Sequence, residues 1–286
     1  MNNLNYYLQQ ARAGGYALGH FNFATADVLR GIVEATRDAG APAVMVGTSE
    51  GEANFFGLKE AVALVKVIRE EYNFPVFLNA DHHKSFESCK EAVDCGYDSV
   101  LIDASKRPYE ENIKLTKEVV DYAKRVNPEI LVEGELGYLV TESSKIYKEK
   151  IDIPPESLTK PEQAEEFVKK TGVDLFAPAI GNLHGIAANE PSIRLDLLTE
   201  IKRAVPDKFL VLHGASGLSD DDVRAAIKAG VTNVHFNTEL RVAYTEGIHK
   251  TLHDKPGETT PYKYLAPAVE EVKKVVAQKI KLFMGK

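Results

Sequence analysis

The sequence predicts a (β/α)8 barrel, on three observations. Short apolar runs rich in β-branched and aromatic residues recur along the chain, segments of helical periodicity separate them, and ionisable side chains stand at the ends of the later runs. The runs are Tyr16–Phe23, Pro42–Thr48, Pro75–Asp81, Ser99–Ser105, Leu131–Gly137, Asp174–Ile180, Phe209–Gly214 and Asn233–Thr238. Between them lie "TADVLRGIVEATRDAG", "LKEAVALVKVIREEY", "YEENIKLTKEVVDYAKRV" and "SDDDVRAAIKAG", with the apolar spacing of helices packed on one side. Eight strand–helix units in roughly 240 residues, with no linker, match an eight-fold barrel. A doubly wound sheet fits less well, because no glycine-rich fingerprint follows the first run.

The remaining elements follow in order. Residues before Ala11 predict a helix that closes the barrel floor. The one long connection, Tyr138–Thr159, is polar, follows strand five and has the length of a lid. Ser219 with Asp222 three residues on resembles a capping box, and Gly230 marks the helix stop. Residues 264–284 form a further amphipathic helix. Residues 1–286 thus read as one domain.

Composition narrows the function classes. The apolar fraction is 44% and the net charge −7, without blocks of like charge, which argues against nucleic acid or an anionic membrane as partner. No stretch approaches the roughly 18 apolar residues that a spanning helix needs. The N-terminal "MNNLNYYLQQARAGG" lacks the apolar core of a secretory signal. Cys89 and Cys95 fall on different faces of one predicted helix and cannot pair there. The expectation is a cytoplasmic protein.

In a barrel, polar residues at the C-terminal strand ends build the site. Asp81 and His82 close strand three, Asp103 strand four, and Glu133 and Glu135 punctuate strand five. His184 follows strand six, His213 ends strand seven, and His235 sits in strand eight. A lone histidine after a strand is ordinarily a hydrogen-bonded structural residue. Three of them, His82, His184 and His213, on converging strand ends beside carboxylates point instead to a divalent ion with an open coordination position. "HGASG", His213 to Gly217, ends a strand before a helix: either a plain tight turn, or, with "NTE" after strand eight, a phosphate cradle where barrels commonly place one.

These residues also carry a resemblance. "GHFNF", "NADHHKS", "LIDAS", "VEGELG", "PEQAEEFVKKTGVDLFAPAIGNLHG", "LVLHGASGL" and "NTEL" occur in the order found in the class II, metal-dependent ketose-bisphosphate aldolases, which the sequence resembles almost end to end. The resemblance implies the barrel independently. It implies Zn2+ held by His82, His184 and His213, with Asp103 and Glu133 as carboxylates able to hold the metal in an alternative position. It implies Asp81 as the residue that exchanges a proton with the C4 hydroxyl. It implies a cradle of Gly185, Gly214, Ala215, Ser216, Asn237 and Thr238 for the phosphate of dihydroxyacetone phosphate, often beside a monovalent cation, Na+ or K+. The implied reaction is reversible cleavage of fructose 1,6-bisphosphate, with tagatose 1,6-bisphosphate or another ketose 1-phosphate as the alternative. A homodimer or homotetramer is implied as well.

Three features depart from the family pattern. The loop "GYLVTESSKIYKEK" lacks the usual Gly-Gly pair, leaving Glu142 as the nearest loop acid for shuttling a proton. His235 stands where asparagine is common, and is expected to donate a hydrogen bond to a substrate oxygen. Thr260-Pro261-Tyr262 replaces Asp-Pro-Arg before "KYL", so that Lys263 is the nearest cation for a second phosphate. His83 is expected to face outward.

Overall fold

The computed structural model describes residues 2–189 and 192–285; Met1 and Lys286, at the ends of the predicted domain, lie outside them, as do Glu190 and Pro191. Eight parallel strands close a barrel in sequence order: β1 (Leu18–Asn22), β2 (Val44–Ser49), β3 (Val76–His83), β4 (Ser99–Ile102), β5 (Leu131–Leu136), β6 (Leu175–Pro178), β7 (Phe209–Leu212) and β8 (Val231–His235). The seam between β1 and β8 brings His20 opposite His235. Each of the eight predicted strands is present.

Helices α1 (Leu4–Gly14), α2 (Ala26–Asp38), α3 (Glu50–Phe56), α4 (Leu58–Tyr72), α5 (Phe86–Cys95), α6 (Tyr109–Val126), α7 (Pro161–Thr171), α8 (Leu195–Ala204), α9 (Asp220–Lys228), α10 (Thr238–Asp254) and α11 (Pro261–Phe283) supply the rest. Asn3 caps α1 by accepting from the Tyr6 amide, and left-handed Gly15 ends it. Its apolar face sets Leu4, Leu8 and Ala11 against Leu18, Met45, Phe77, Leu131, Leu175 and Phe209, and so plugs the N-terminal mouth of the barrel as predicted. The helix expected over 264–284 begins slightly earlier, with Pro261 in its first turn. It buries Val272, Val276, Ile280 and Phe283, and the Phe283 carbonyl accepts from the Ala17 amide. At α9 only half of the predicted box forms: Ser219 caps the Asp222 amide at 3.0 Å. Both cysteines lie on α5 as free thiols.

Two departures bear on the site. β3 runs two residues past its predicted end, with its register to β4 broken between Ala80 and His83. The 138–159 connection is stitched down rather than free. The Tyr138 amide donates to the Ser157 carbonyl, Ile146 bridges Ile186 in the loop after β6, and Ile186 and Lys145 share a 2.9 Å hydrogen bond.

Candidate active site

The register break in β3 makes the site. Neighbouring side chains on a strand point to opposite faces, yet Asp81 and His82 both line the mouth. His82 has φ 50°, the left-handed region that non-glycine residues rarely occupy. That turn inserts an extra residue and swings both side chains inward, as a bulge does. His83 then lies against Thr48, Glu50 and Ser88. It turns away from the mouth, but its side chain is only 2% exposed, so the outward position expected for it is buried protein, not solvent.

The three predicted imidazoles converge. Ligand-capable atoms of His82, His184 and His213 lie within 4.8 Å of one another, and His82 Nε2 sits 3.0 Å from His213 Nδ1. Each of those two rings is held from behind by a carboxylate: His82 Nδ1 lies 3.0 Å from Asp103 Oδ2, and His213 Nε2 lies 2.7 Å from Glu133 Oε1. Carboxylates in that position fix the tautomer and orientation of metal-binding histidines. Burial, then the neighbouring rings, hold the His184 pKa well below the ordinary imidazole value, which keeps it a neutral donor. The His82 pKa, lowered by burial, is pushed up to about 10 by Asp81, Asp103 and Glu135, so a cation binding there displaces a proton. Three nitrogens facing a common point, with room beside them, fit an open catalytic metal site.

Asp103 and Glu133 do not share a site. The carboxylate beside Asp103 and His82 is Glu135, its Oε2 3.8 Å from His82 Nδ1, with burial and Asp103 raising its pKa to about 7. Glu133 and Glu135 face the same way, two residues apart, but reach different histidines.

Asp81 is buried and tightly oriented. Asn22 Nδ2 donates to its Oδ2 at 2.9 Å, and His235 Nδ1 lies 3.2 Å from its Oδ1. Burial raises its pKa, but His82, His235 and His20 outweigh burial and hold the carboxyl well below its usual range. His235 stacks on His20 with ring centroids 3.6 Å apart, and its Nε2 meets Asn233 Oδ1 at 2.9 Å. It therefore braces Asp81 from the β8 side.

The predicted cradle lines a narrow cavity of about 50 Å3 running from Asp81, His82, His184 and His213 to Gly185, Gly214, Ser216, Asn237 and Thr238. Gly214 (φ 62°) and Gly185 (φ 80°) are left-handed, and a Cβ would overlap the Leu183 and Lys145 carbonyl oxygens respectively. Ser216 Oγ is buried with no hydrogen-bond partner among the described residues. Asn237 and Thr238 open α10, whose amide-rich first turn faces the cavity. Asn237 Oδ1 also accepts from the Asn22 amide at 2.7 Å. The Ala215 side chain, by contrast, packs in the core and lines neither cavity.

A wider cavity of about 580 Å3 shares His82, His184 and Ser143 with the first and opens over Lys84, Asp103, Lys106, Arg107, Glu135 and Glu142. Glu142 faces solvent, its side chain 63% exposed and paired with Lys145. Lys263 lines neither cavity; its ammonium lies 3.7 Å from Glu258.

Sequence reasoning missed Asn22, Glu52 and Arg241. Glu52 caps α3 through Ser49, accepts from Asn22 at 2.9 Å and pairs with Arg241 at 2.6 Å. The signal for Asn22 was its place at the end of strand one, in "GHFNF". Arg241 offered only its position one turn into the last barrel helix.

Comparison with known proteins agrees with this geometry. Residues 2–286 match the family model "Fructose-bisphosphate aldolase class-II". The chain is 36% identical over 279 residues to the probable fructose-bisphosphate aldolase of Bacillus subtilis (strain 168), covering 96% of this chain and 95% of that one. It is 37% identical over 281 residues to the fructose-bisphosphate aldolase of Staphylococcus aureus (strain Mu50), covering 96% and 94%. The crystal structure of the YdjI aldolase from Escherichia coli K12 superposes with a TM-score of 0.84 at 32% identity, over 98% of this chain and 96% of that one. With motif, barrel and converging site in agreement, the chain belongs to the class II fructose-bisphosphate aldolase family and is a carbon–carbon lyase.

Proposed function

We propose that the protein is a zinc-dependent aldolase that reversibly cleaves fructose 1,6-bisphosphate to dihydroxyacetone phosphate and glyceraldehyde 3-phosphate. The observation that carries this reading is the position of Asp81. An ionised carboxylate, braced by Asn22 and His235, stands beside three converging imidazoles where the two cavities meet.

His82, His184 and His213 would hold the ion, which when bound supplies Lewis-acid stabilisation of negative charge on substrate oxygens. Asp103 and Glu133 serve best as the partners that aim His82 and His213, in place of the alternative metal position that the family resemblance implies for them. The narrow cavity takes the dihydroxyacetone phosphate half. Gly185 and Gly214 let backbone approach its phosphate, Ser216 offers its unpartnered hydroxyl, and the first turn of α10 adds a favourable dipole. Asp81, ionised and acceptor-ready, takes the C4 hydroxyl proton as the C3–C4 bond breaks, and returns it in condensation. Glu142 serves as the loop acid once its pair with Lys145 opens. Tagatose 1,6-bisphosphate, a stereoisomer with the same two phosphates, is the alternative bisphosphate; a ketose 1-phosphate without the second phosphate is favoured by Lys263 lining neither cavity.

The test is cleavage of fructose 1,6-bisphosphate and of tagatose 1,6-bisphosphate before chelation, after it, and after zinc is restored. Activity that disappears and returns supports the metal reading, and the faster sugar identifies the substrate. Cleavage that survives removal of bound metal would overturn it.

A further inference from the structure

The wider cavity carries an arrangement that the reading above leaves unused. Lys84 follows β3 by one residue, and Lys106 and Arg107 follow β4, so two consecutive strand ends deliver three cations to one wall. Among the described residues none of the three forms an ion pair, although the chain as a whole is acidic. The carboxylates sharing the cavity are engaged elsewhere. Asp103 binds His82 and accepts from Ser105 Oγ at 2.7 Å, Glu135 faces His82, and Glu142 pairs with Lys145. Arg107 makes one long contact, 3.4 Å to the Lys84 carbonyl, which ties the two loops together and leaves most of its guanidinium donors free. Both lysines still sit near enough to Glu142 to favour its ionised form.

The cavity also lies where the second half of a substrate must go. With dihydroxyacetone phosphate in the narrow cleft, a carbon chain leaving the reacting centre past His82 and His184 enters the space below these cations. Lys263, the one cation that the sequence pattern offered for a distal anion, is not there. We infer that Lys84, Lys106 and Arg107 form a subsite for an anionic group, phosphate or carboxylate, at the far end of the aldehyde. This inference rests on the aldolase reading. Arg107 can grip either anion through two parallel N–H donors, and the lysines add mobile point charges.

The test is condensation of dihydroxyacetone phosphate by the zinc enzyme with three aldehydes: neutral glyceraldehyde, glyceraldehyde 3-phosphate, and succinate semialdehyde, which ends in a carboxylate. Exchange of the dihydroxyacetone phosphate C3 proton with solvent is followed in parallel. All three side chains are exposed, so K106A/R107A should fold. The inference expects wild type to prefer at least one anionic aldehyde over glyceraldehyde by tenfold or more in kcat/KM. It expects the double variant to lose at least tenfold of that preference through KM, and K106R/R107K to restore most of it. Whichever anion loses more identifies the chemistry. A preference unchanged in K106A/R107A, with C3 proton exchange intact, would overturn the subsite and leave the aldolase reading standing. Absence of C3 exchange in wild type would overturn that reading, and the subsite with it.

Discussion

One residue, His82, shows how much the site depends on an unfavourable backbone. Its left-handed conformation costs on the order of 1–3 kcal/mol, and in return two consecutive residues face the same cavity. The division of labour between them is testable by separate readouts. D81N should retain bound zinc while kcat falls by about 10²–10⁴, the usual span for loss of a general base, whereas H213A should lose metal and cleavage together. Zinc still bound stoichiometrically to H213A would move the metal elsewhere. His20 gives a pH prediction. Burial lowers its pKa to about 4, so the native protein keeps it neutral. Between its ordinary value, about 6.5, and 4, the unfolded chain takes up a proton that the native state refuses, so stability falls as pH drops through that window. The group accounts for a loss of about 3 kcal/mol. Denaturant unfolding at pH 7 and pH 5 should show a markedly smaller drop in H20Q than in wild type; equal drops would mean that other groups set the acid sensitivity.

At the scale of elements, the cradle is a close approach of two loops. G214A places a methyl group against the Leu183 carbonyl at a left-handed position, which should cost about 1–3 kcal/mol and raise KM for the bisphosphate tenfold or more. A melting temperature and KM both at wild-type values would show that the loops move apart without consequence. The same loops mark where the sequence stops being legible. Alternation and helical period reveal which face of a strand looks inward, so Asp81, His213 and both carboxylates of β5 were readable as mouth residues. They do not reveal that β3 gains a residue, because a histidine at positive φ leaves no compositional trace. Buried His83 and the length of β3 were therefore misjudged. Nor does period distinguish Glu133 from Glu135, which share a face and differ only in the histidine each one meets. Arg241 and Glu52 meet across 189 positions of sequence, a distance at which local pattern carries nothing.

For the whole molecule, the helix beyond the eighth unit is part of the barrel wall. Phe283 is fully buried, and its ring stacks on Phe21 of β1 and meets Phe236 beside β8. F283A should cost about 3–5 kcal/mol, a large share of the 5–15 kcal/mol typical of a folded chain, as read by denaturant unfolding. A cost below about 1 kcal/mol would make α11 an ornament on a self-sufficient barrel. The seam that this helix covers is also where His20 on β1 meets His235 on β8, the residue that braces Asp81. The chain's first strand and last strand thus jointly set the geometry of a group on the third. A growing chain emerging from the ribosome carries Asp81, with Asn22 beside it, early, but lacks the His235 side of its brace until more than 150 further residues have been made. The last bracing contact of the centre therefore waits for the closing of the ring, when β8 takes its place beside β1.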